Sequence, residues 1–116
     1  MTLEELYKTI GGDYAGLLQR IPSAAMIRKF VLKYPNDPTY SQLCTAVSAQ
    51  DWETAFRAAH TLKGVAQNLG FDQLYRSSAA LTEAMRGNVA LTQPSLLDAV
   101  RTDYEQVISG ISALDG

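Results

Sequence analysis

The apolar residues of this chain recur every three or four positions along almost its whole length. Such spacing places them on one face of an α-helix, and no run of alternating β-branched residues bounded by hairpin turns interrupts it. The clearest case is the last segment, whose apolar stripe comprises Leu97, Val100, Tyr104, Val107, Ile111 and Leu114. The pattern predicts an all-helical protein.

Capping and turn residues divide this pattern into separate helices. Asp51 and Asp72 are suited to cap helix N-termini, and Gly70 and Gly87 are suited to end helices. Together with Pro94, which fits a first helical turn, they predict helices at about 39–49, 51–70, 72–87 and from 94 onwards. Short connections favour antiparallel neighbours. The predicted fold is all-α, an antiparallel up-down four-helix bundle over residues 39–116.

Residues 1–38 are predicted to add short helices that pack on this bundle. Thr2 and Glu5 have the spacing of a capping box, and Asp13 can cap a second helix. Pro22 suits the first turn of a third helix. The apolar stripe of that third helix comprises Met26, Ile27, Phe30, Val31 and Tyr34.

The composition is that of a globular protein. Of its 116 residues, 47% are hydrophobic and 19% are charged, a balance that suits one folded domain spanning residues 1–116. The formal net charge of −2 argues against a nucleic-acid partner. No apolar run approaches the roughly 18 residues of a membrane span, and the N-terminus lacks a signal-peptide pattern. We therefore expect a cytoplasmic monomer with no membrane partner.

One histidine and one cysteine limit the chemistry that the chain can perform. Cys44 cannot form an internal disulfide bond and is expected to be a buried core thiol in a reducing compartment. A single His and a single Cys do not make a zinc site. The sequence contains no P-loop, and no Ser-His-Asp or Cys-His arrangement can be argued from it. We expect no cofactor, no metal site and no complete enzymatic active site.

His60 lies on the second bundle helix, on the side opposite its apolar residues. Successive residues turn by about 100° around a helix axis, so Lys63, Gly64 and Gln67 lie within about 60° of His60. The positions on the opposite side are apolar or small: Ala55, Ala58, Leu62, Val65 and Leu69. We predict that the His60 side chain points to solvent.

Three residues near His60 distinguish this surface from an ordinary one. Lys63 is a cation one turn away, placed to neutralise phosphate charge. Gly64 lies in mid-helix, where glycine costs about 1 kcal/mol relative to alanine, which indicates that something approaches the backbone closely. Phe56, one turn before His60, is expected to be an exposed aromatic of a docking surface. These residues favour a functional histidine, while an idle surface histidine remains the alternative.

The stretch His60-Thr61-Leu62-Lys63-Gly64, followed by Asn68-Leu69-Gly70, resembles the signature of histidine-containing phosphotransfer (HPt) domains. That signature reads H-x-L-K-G with a later L-G. The resemblance implies that His60 is the phosphoacceptor, that Lys63 lies beside the phosphate, and that Gly64 lets a receiver domain close over the imidazole. It also implies that the partners are response-regulator receiver domains and a hybrid or other histidine kinase.

Some positions depart from the family pattern or leave alternatives open. Gln67 replaces a small residue, so the rim of the site is bulkier or more polar. The next helix of an HPt domain often donates a hydrogen bond to the phosphoacceptor, and the corresponding turn here holds Thr82, with Ser78 as a second candidate. That role could instead pass to Gln67 or be absent. Arg86 is either a second cation for the phosphate or a charge at the helix end near Gly87.

The expected function is that of a phosphorelay carrier and not of an enzyme. A neutral imidazole has a lone pair on one ring nitrogen and can attack phosphorus without a separate base. The resemblance implies that the receiver domain supplies the aspartate and the metal, while His60 accepts and donates the phosphoryl group. The alternative is a helical interaction or scaffold module without phosphochemistry.

Overall fold

A computed structural model of the chain describes residues 1–114. All regular secondary structure in these residues is helical. A short 3₁₀ helix, Tyr34–Asn36, follows the third of seven α-helices. No β-strand occurs in residues 1–114, so the prediction of an all-helical protein is confirmed. The α-helices are α1 (Leu3–Thr9), α2 (Tyr14–Arg20), α3 (Ala24–Lys33), α4 (Thr39–Ser48), α5 (Trp52–Asn68), α6 (Asp72–Ala84) and α7 (Pro94–Ser112).

Three of the predicted N-terminal caps are present. The Glu5 N–H donates to the Thr2 hydroxyl at 3.2 Å, and the Thr2 N–H donates to the Glu5 carboxylate at 3.1 Å, which completes a capping box on α1. The carboxylates of Asp13 and Asp51 each accept from the backbone N–H three residues further on, and they cap α2 and α5. These caps depend on residues close in sequence, which is why the sequence predicts them.

Two predicted helix starts are wrong by one or two residues. Asp72 is the first residue of α6 and does not cap it. The preceding Phe71 occupies the cap position, and the Phe71 side chain is fully buried in the core. Pro22 precedes α3, and Ser23 caps it by accepting from the Met26 N–H at 3.3 Å. Proline has no side-chain acceptor, so the serine defines the helix start.

Helices α4 to α7 enclose the main core. α5 packs against both α4 and α6, and α6 packs against α7. α4 reaches α7 through the rings of Tyr40 and Tyr104, which stack with their centroids 3.8 Å apart. The side of α5 that faces its neighbours is formed mostly of alanines, which allow close approach of the packed helices; its buried residues are Ala55, Ala58, Ala59, Leu62 and Ala66.

The third helix is only partly covered by the rest of the molecule. Of its predicted apolar stripe, Ile27, Val31 and Tyr34 are buried, but Met26 is 47% and Phe30 is 37% exposed. The outer part of the stripe therefore lies on the surface. Cys44 on α4 was expected in the core, and it is only half-buried. Both expectations were wrong because periodicity indicates a face of a helix and not how far neighbouring elements cover it.

The N-terminal segment forms hydrogen bonds to the C-terminal end of α5. The Tyr7 hydroxyl donates to the Leu69 carbonyl at 2.6 Å, and the Asp13 N–H donates to the Gly70 carbonyl at 3.0 Å. Arg20 donates to the carbonyl of Gln67 at 3.2 Å. These contacts add hydrogen-bond donors to carbonyls at or just beyond the last turn of α5, where the regular helical hydrogen bonds end. No helix within residues 1–114 has the length and apolar character needed to cross a membrane.

Candidate functional site

His60 lies near the middle of α5 with its side chain exposed to solvent. The residues that flank it in sequence show why: Ala58, Ala59 and Leu62 are buried against the neighbouring helices, so the helix turns His60 outward. The helix is held at both ends, by the Asp51 cap and by the N-terminal segment. An exposed imidazole on a supported helix is accessible to a large partner.

An aromatic ring on α5 lies beside His60 and also beside a residue that follows the next helix. The ring of Phe56 lies one turn before His60, with ring centroids 6.3 Å apart and 24° between the planes. Phe56 is half-buried and packs against the core, so the expectation of an exposed aromatic was wrong. Arg86, just after α6, places its guanidinium carbon 5.6 Å from the centroid of the Phe56 ring. The Phe56 ring is thus a neighbour of both His60 and Arg86.

A carboxylate lies among the cations of this region. Glu83 accepts two hydrogen bonds from Arg86, at 3.0 Å from Nε and 2.5 Å from Nη2. These hydrogen bonds are the main cause of the lowered pKa of Glu83, and the positive charges of Arg86 and Lys63 lower it further. Lys63 is half-buried on α5. Glu83 therefore interacts with both cations that the sequence places near a phosphate.

A small cleft of about 260 Å³ opens beside the imidazole. In it, Arg57 pairs with Glu53 at 3.0 Å, and Asn88 approaches from the turn after α6 with a φ of 63°. Sequence reasoning missed these residues. The helical rotation that places Gly64 near His60 also places Glu53 and Arg57 on that face, so a signal was present for those two. The residues that line the cleft are Glu53, Phe56, Arg57, His60 and Asn88.

Gly64 lies on open surface. A Cβ atom built on its backbone would have no atom outside its own helix backbone and chain neighbours within 4 Å. The fold of the free protein therefore does not require glycine at this position. Gln67, one turn further along α5, is exposed.

Thr82 and Ser78 do not reach the surface that carries His60. Both side chains are fully buried. The Thr82 hydroxyl donates to the Ser78 carbonyl at 2.7 Å, and the Ser78 hydroxyl donates to the Leu74 carbonyl at 2.6 Å. Their hydroxyl protons are thus used within α6, as is usual for Ser and Thr inside helices. The expectation that the Thr82 turn supplies a hydrogen bond to the phosphoacceptor is corrected accordingly.

Comparison with known proteins places the chain in a family. The family model described as the Hpt domain matches residues 36–110, which include α4, α5, α6 and most of α7. No curated protein and no solved structure matches the chain. Because the match spans well over half of the sequence, the chain belongs to the Hpt domain family. Members of this family are histidine phosphotransfer carriers of two-component phosphorelays, and they are not enzymes.

Proposed function

We propose that this protein accepts a phosphoryl group on His60 and donates it again, in exchange with aspartate receiver domains. The observation that carries the proposal is the exposed His60 imidazole on α5, beside the Phe56 ring and within the segment that matches the Hpt domain. The expected partners are response-regulator receiver domains and a hybrid or other histidine kinase.

The transfer is a simple displacement at phosphorus. The lone pair of a neutral imidazole nitrogen of His60 forms the N–P bond, and the P–O bond to the receiver aspartate breaks. The aspartate leaves as a carboxylate with that electron pair, and the ring keeps the proton on its other nitrogen. Phosphoryl transfer depends mainly on positioning and on neutralisation of charge. The reverse reaction uses the same groups, so the direction follows the partner.

The protein itself provides only part of the site. In this proposal Lys63 and Arg86 neutralise phosphoryl oxygens, while the receiver domain brings the aspartate and the magnesium ion. Within residues 1–114, no three His, Cys, Asp or Glu side chains cluster so as to hold a metal ion. We therefore propose a carrier that acts as a substrate for its partners.

We propose that the receiver domain docks over Gly64 and the adjoining part of α3. The surface at Gly64 is open, and an apolar groove of about 540 Å³ lies between α3 and the last turns of α5. Asn68, one turn beyond Gly64 on α5, lines this groove, so the proposed docking surface extends from Gly64 to it. Phe30, partly exposed on α3, lines its other side.

We further propose that the four C-terminal helices, α4 to α7, form an antiparallel up-down bundle and that the whole chain is one domain. The sequential packing of α4, α5, α6 and α7 supports this arrangement, and so do the hydrogen bonds from the N-terminal segment to the end of α5. We also propose that the protein is a cytoplasmic monomer.

A panel of receiver domains from the same genome tests the function. Each receiver is labelled with a radioactive phosphoryl group and mixed with wild-type protein or with His60→Gln. We expect rapid transfer of an acid-labile label to wild type from at least one receiver, and none to His60→Gln. ATP with Mg²⁺ alone should label neither protein. Label on His60→Gln would show that another residue is the acceptor.

The second candidate function is a helical interaction module without phosphochemistry. The exposed apolar residues of α3, among them Met26 and Leu32, favour a protein-binding surface in either case. Specific binding of a receiver domain without any label on His60, across the whole panel, would favour this second function.

A further inference from the structure

Glu83 occupies a position that the phosphotransfer chemistry does not by itself explain. It is exposed on the last turns of α6, and both of its carboxylate oxygens are hydrogen-bonded by Arg86. Arg86 at the same time lies over the Phe56 ring, and Phe56 stacks with His60. A carboxylate is thus bound to a cation that lies over the aromatic ring beside His60.

The charges of this surface nearly balance before any phosphoryl group arrives. Lys63, Arg57 and Arg86 are positive, while Glu53 and Glu83 are negative, and each arginine is paired with one of the carboxylates. A phosphoryl group on His60 would add about two negative charges. Arg86 would then have two anionic partners available, one on α6 and one on α5.

We propose that Glu83 competes with the phosphoryl group of His60 for Arg86, and that it thereby limits the stability of the phosphohistidine. This inference rests on the proposed function of His60. In the unphosphorylated protein Glu83 holds Arg86 in a bidentate pair. In the phosphorylated protein Arg86 exchanges the carboxylate for the phosphoryl oxygens, which carry the larger charge. Arg86 lies over the Phe56 ring and that ring stacks with His60, so in the proposed exchange the guanidinium moves along one aromatic surface.

The physical basis is a free-energy difference between two ion pairs. The pair with Glu83 must be broken before Arg86 can bind the phosphoryl group, so its strength is subtracted from the stability of the phosphohistidine. Because the pair is exposed, its contribution is modest. A weakly held phosphoryl group is suited to a carrier, since the group must leave again to the next receiver.

A double-mutant cycle tests the proposal. The transfer equilibrium constant between one phosphorylated receiver domain and the protein is measured for wild type, Glu83→Gln, Arg86→Gln and the double variant. Glu83→Gln should shift the equilibrium toward phospho-His60 by about two- to fivefold, the range expected for one exposed ion pair. In the Arg86→Gln background most of this gain should be lost, because Glu83 then has no arginine to release.

Matched variants separate competition from a general charge effect. Glu83→Asp keeps the charge, and an Asp already pairs with an Arg at this spacing in Asp98 and Arg101, so it should behave like wild type. Asp98→Asn removes a carboxylate from the same kind of pair on α7 and should not shift the equilibrium. An NMR signal from the Arg86 side-chain N–H should shift when wild type is phosphorylated.

The possible results are distinguishable. If wild type accepts no phosphoryl group from any receiver, the proposed function fails, and this inference fails with it. If wild type is phosphorylated but Glu83→Gln leaves the equilibrium unchanged, only the role of Glu83 is wrong. If Glu83→Gln shifts the transfer equilibrium equally with and without Arg86, the proposed competition is also wrong. The Glu83 carboxylate would then act by long-range repulsion alone.

Discussion

Phe56 and His60 lie one turn apart on α5, with their ring centroids 6.3 Å apart and their planes 24° from parallel. The half-buried Phe56 ring is held by the core, and the exposed imidazole rests near its face. The Arg86 guanidinium, just after the end of α6, contacts the same Phe56 ring. One aromatic side chain therefore positions both the candidate phosphoacceptor and a candidate cation.

Replacement of Phe56 should slow transfer more than it harms the fold. Phe56→Leu keeps an apolar contact with the core but removes the ring. Since an aromatic pair contributes about 0.5–1.5 kcal/mol, we expect transfer from a receiver to slow by about two- to tenfold. Trp52→Leu, which removes a half-buried aromatic elsewhere on α5, is the control and should keep the wild-type rate. Transfer reactions quenched at set times give the rate of each variant. Equal rates for Phe56→Leu and Trp52→Leu would contradict the prediction.

A bulky residue at Gly64 should separate stability from activity. A Cβ atom at position 64 has open space around it and Gln adds helix propensity, so in Gly64→Gln the free energy of unfolding should hold or rise by up to about 1 kcal/mol. Receiver binding and transfer should both fall greatly, because the side chain blocks the approach to the imidazole. Ala99→Gln on α7 adds the same side-chain type to an exposed site and is the control. Wild-type binding by Gly64→Gln would exclude this face as the docking site.

Loss of charge at Lys63 should act on a different quantity. Lys63→Ala leaves space for the receiver, so the dissociation constant of the complex should change little. The rate of transfer or the lifetime of the phosphohistidine should fall, because phosphate charge is less well neutralised. Separate binding and single-turnover measurements test this, with Lys8→Ala on the exposed surface of α1 as control. A pure loss of binding would assign Lys63 to docking instead.

Thr82 should behave as a core residue. Thr82→Val keeps the shape of the side chain and removes the hydrogen bond to the Ser78 carbonyl, so the free energy of unfolding should change by about 1 kcal/mol. The rate of transfer should stay at the wild-type value, because the side chain is fully buried. Denaturant unfolding and the transfer assay measure the two quantities. A large loss of transfer without loss of stability would show that Thr82 belongs to the functional site.

Tyr7 should link the N-terminal segment to the stability of the His60 helix. Tyr7→Phe removes the 2.6 Å hydrogen bond to the Leu69 carbonyl and should lower the free energy of unfolding by about 1–2 kcal/mol. Burial is the main cause that raises the pKa of Tyr7 well above its ordinary value. The folded protein therefore keeps the phenol proton at a pH where the unfolded chain loses it.

The sign of the pH effect follows from that shift. Below about pH 10 both states hold the proton, and Tyr7 adds no pH dependence. Above about pH 10 the unfolded state ionises first, so stability falls as the pH rises. Unfolding curves from pH 8 to 11 should show a shallower alkaline loss for Tyr7→Phe than for wild type. An unchanged slope would show that Tyr7 does not cause the alkaline loss of stability. Tyr34, whose pKa burial also raises, would then account for the whole loss.

Local features of the sequence determined the helical elements of this protein. Helical periodicity, the caps at Thr2, Asp13 and Asp51, and the glycine after α5 depend on residues within about one turn of each other, and the structure contains them as predicted. The same arithmetic placed His60 and Gly64 on the outer face of α5, since Leu62 and the alanines had to face the core. The family match also rests on these contiguous residues.

Only the tertiary structure decided what surrounds His60. Whether Thr82 is buried, whether Phe56 is covered, and whether Arg86 lies over that ring depend on how α5 and α6 pack, and helical periodicity does not contain that information. The proposed competition of Glu83 for Arg86 depends on the contact of Arg86 with the Phe56 ring, which joins the turn after α6 to α5. The physical reason is that periodicity assigns each residue to a face of its own helix, whereas contacts between helices depend on their relative rotation and separation, which the packing of the whole core determines.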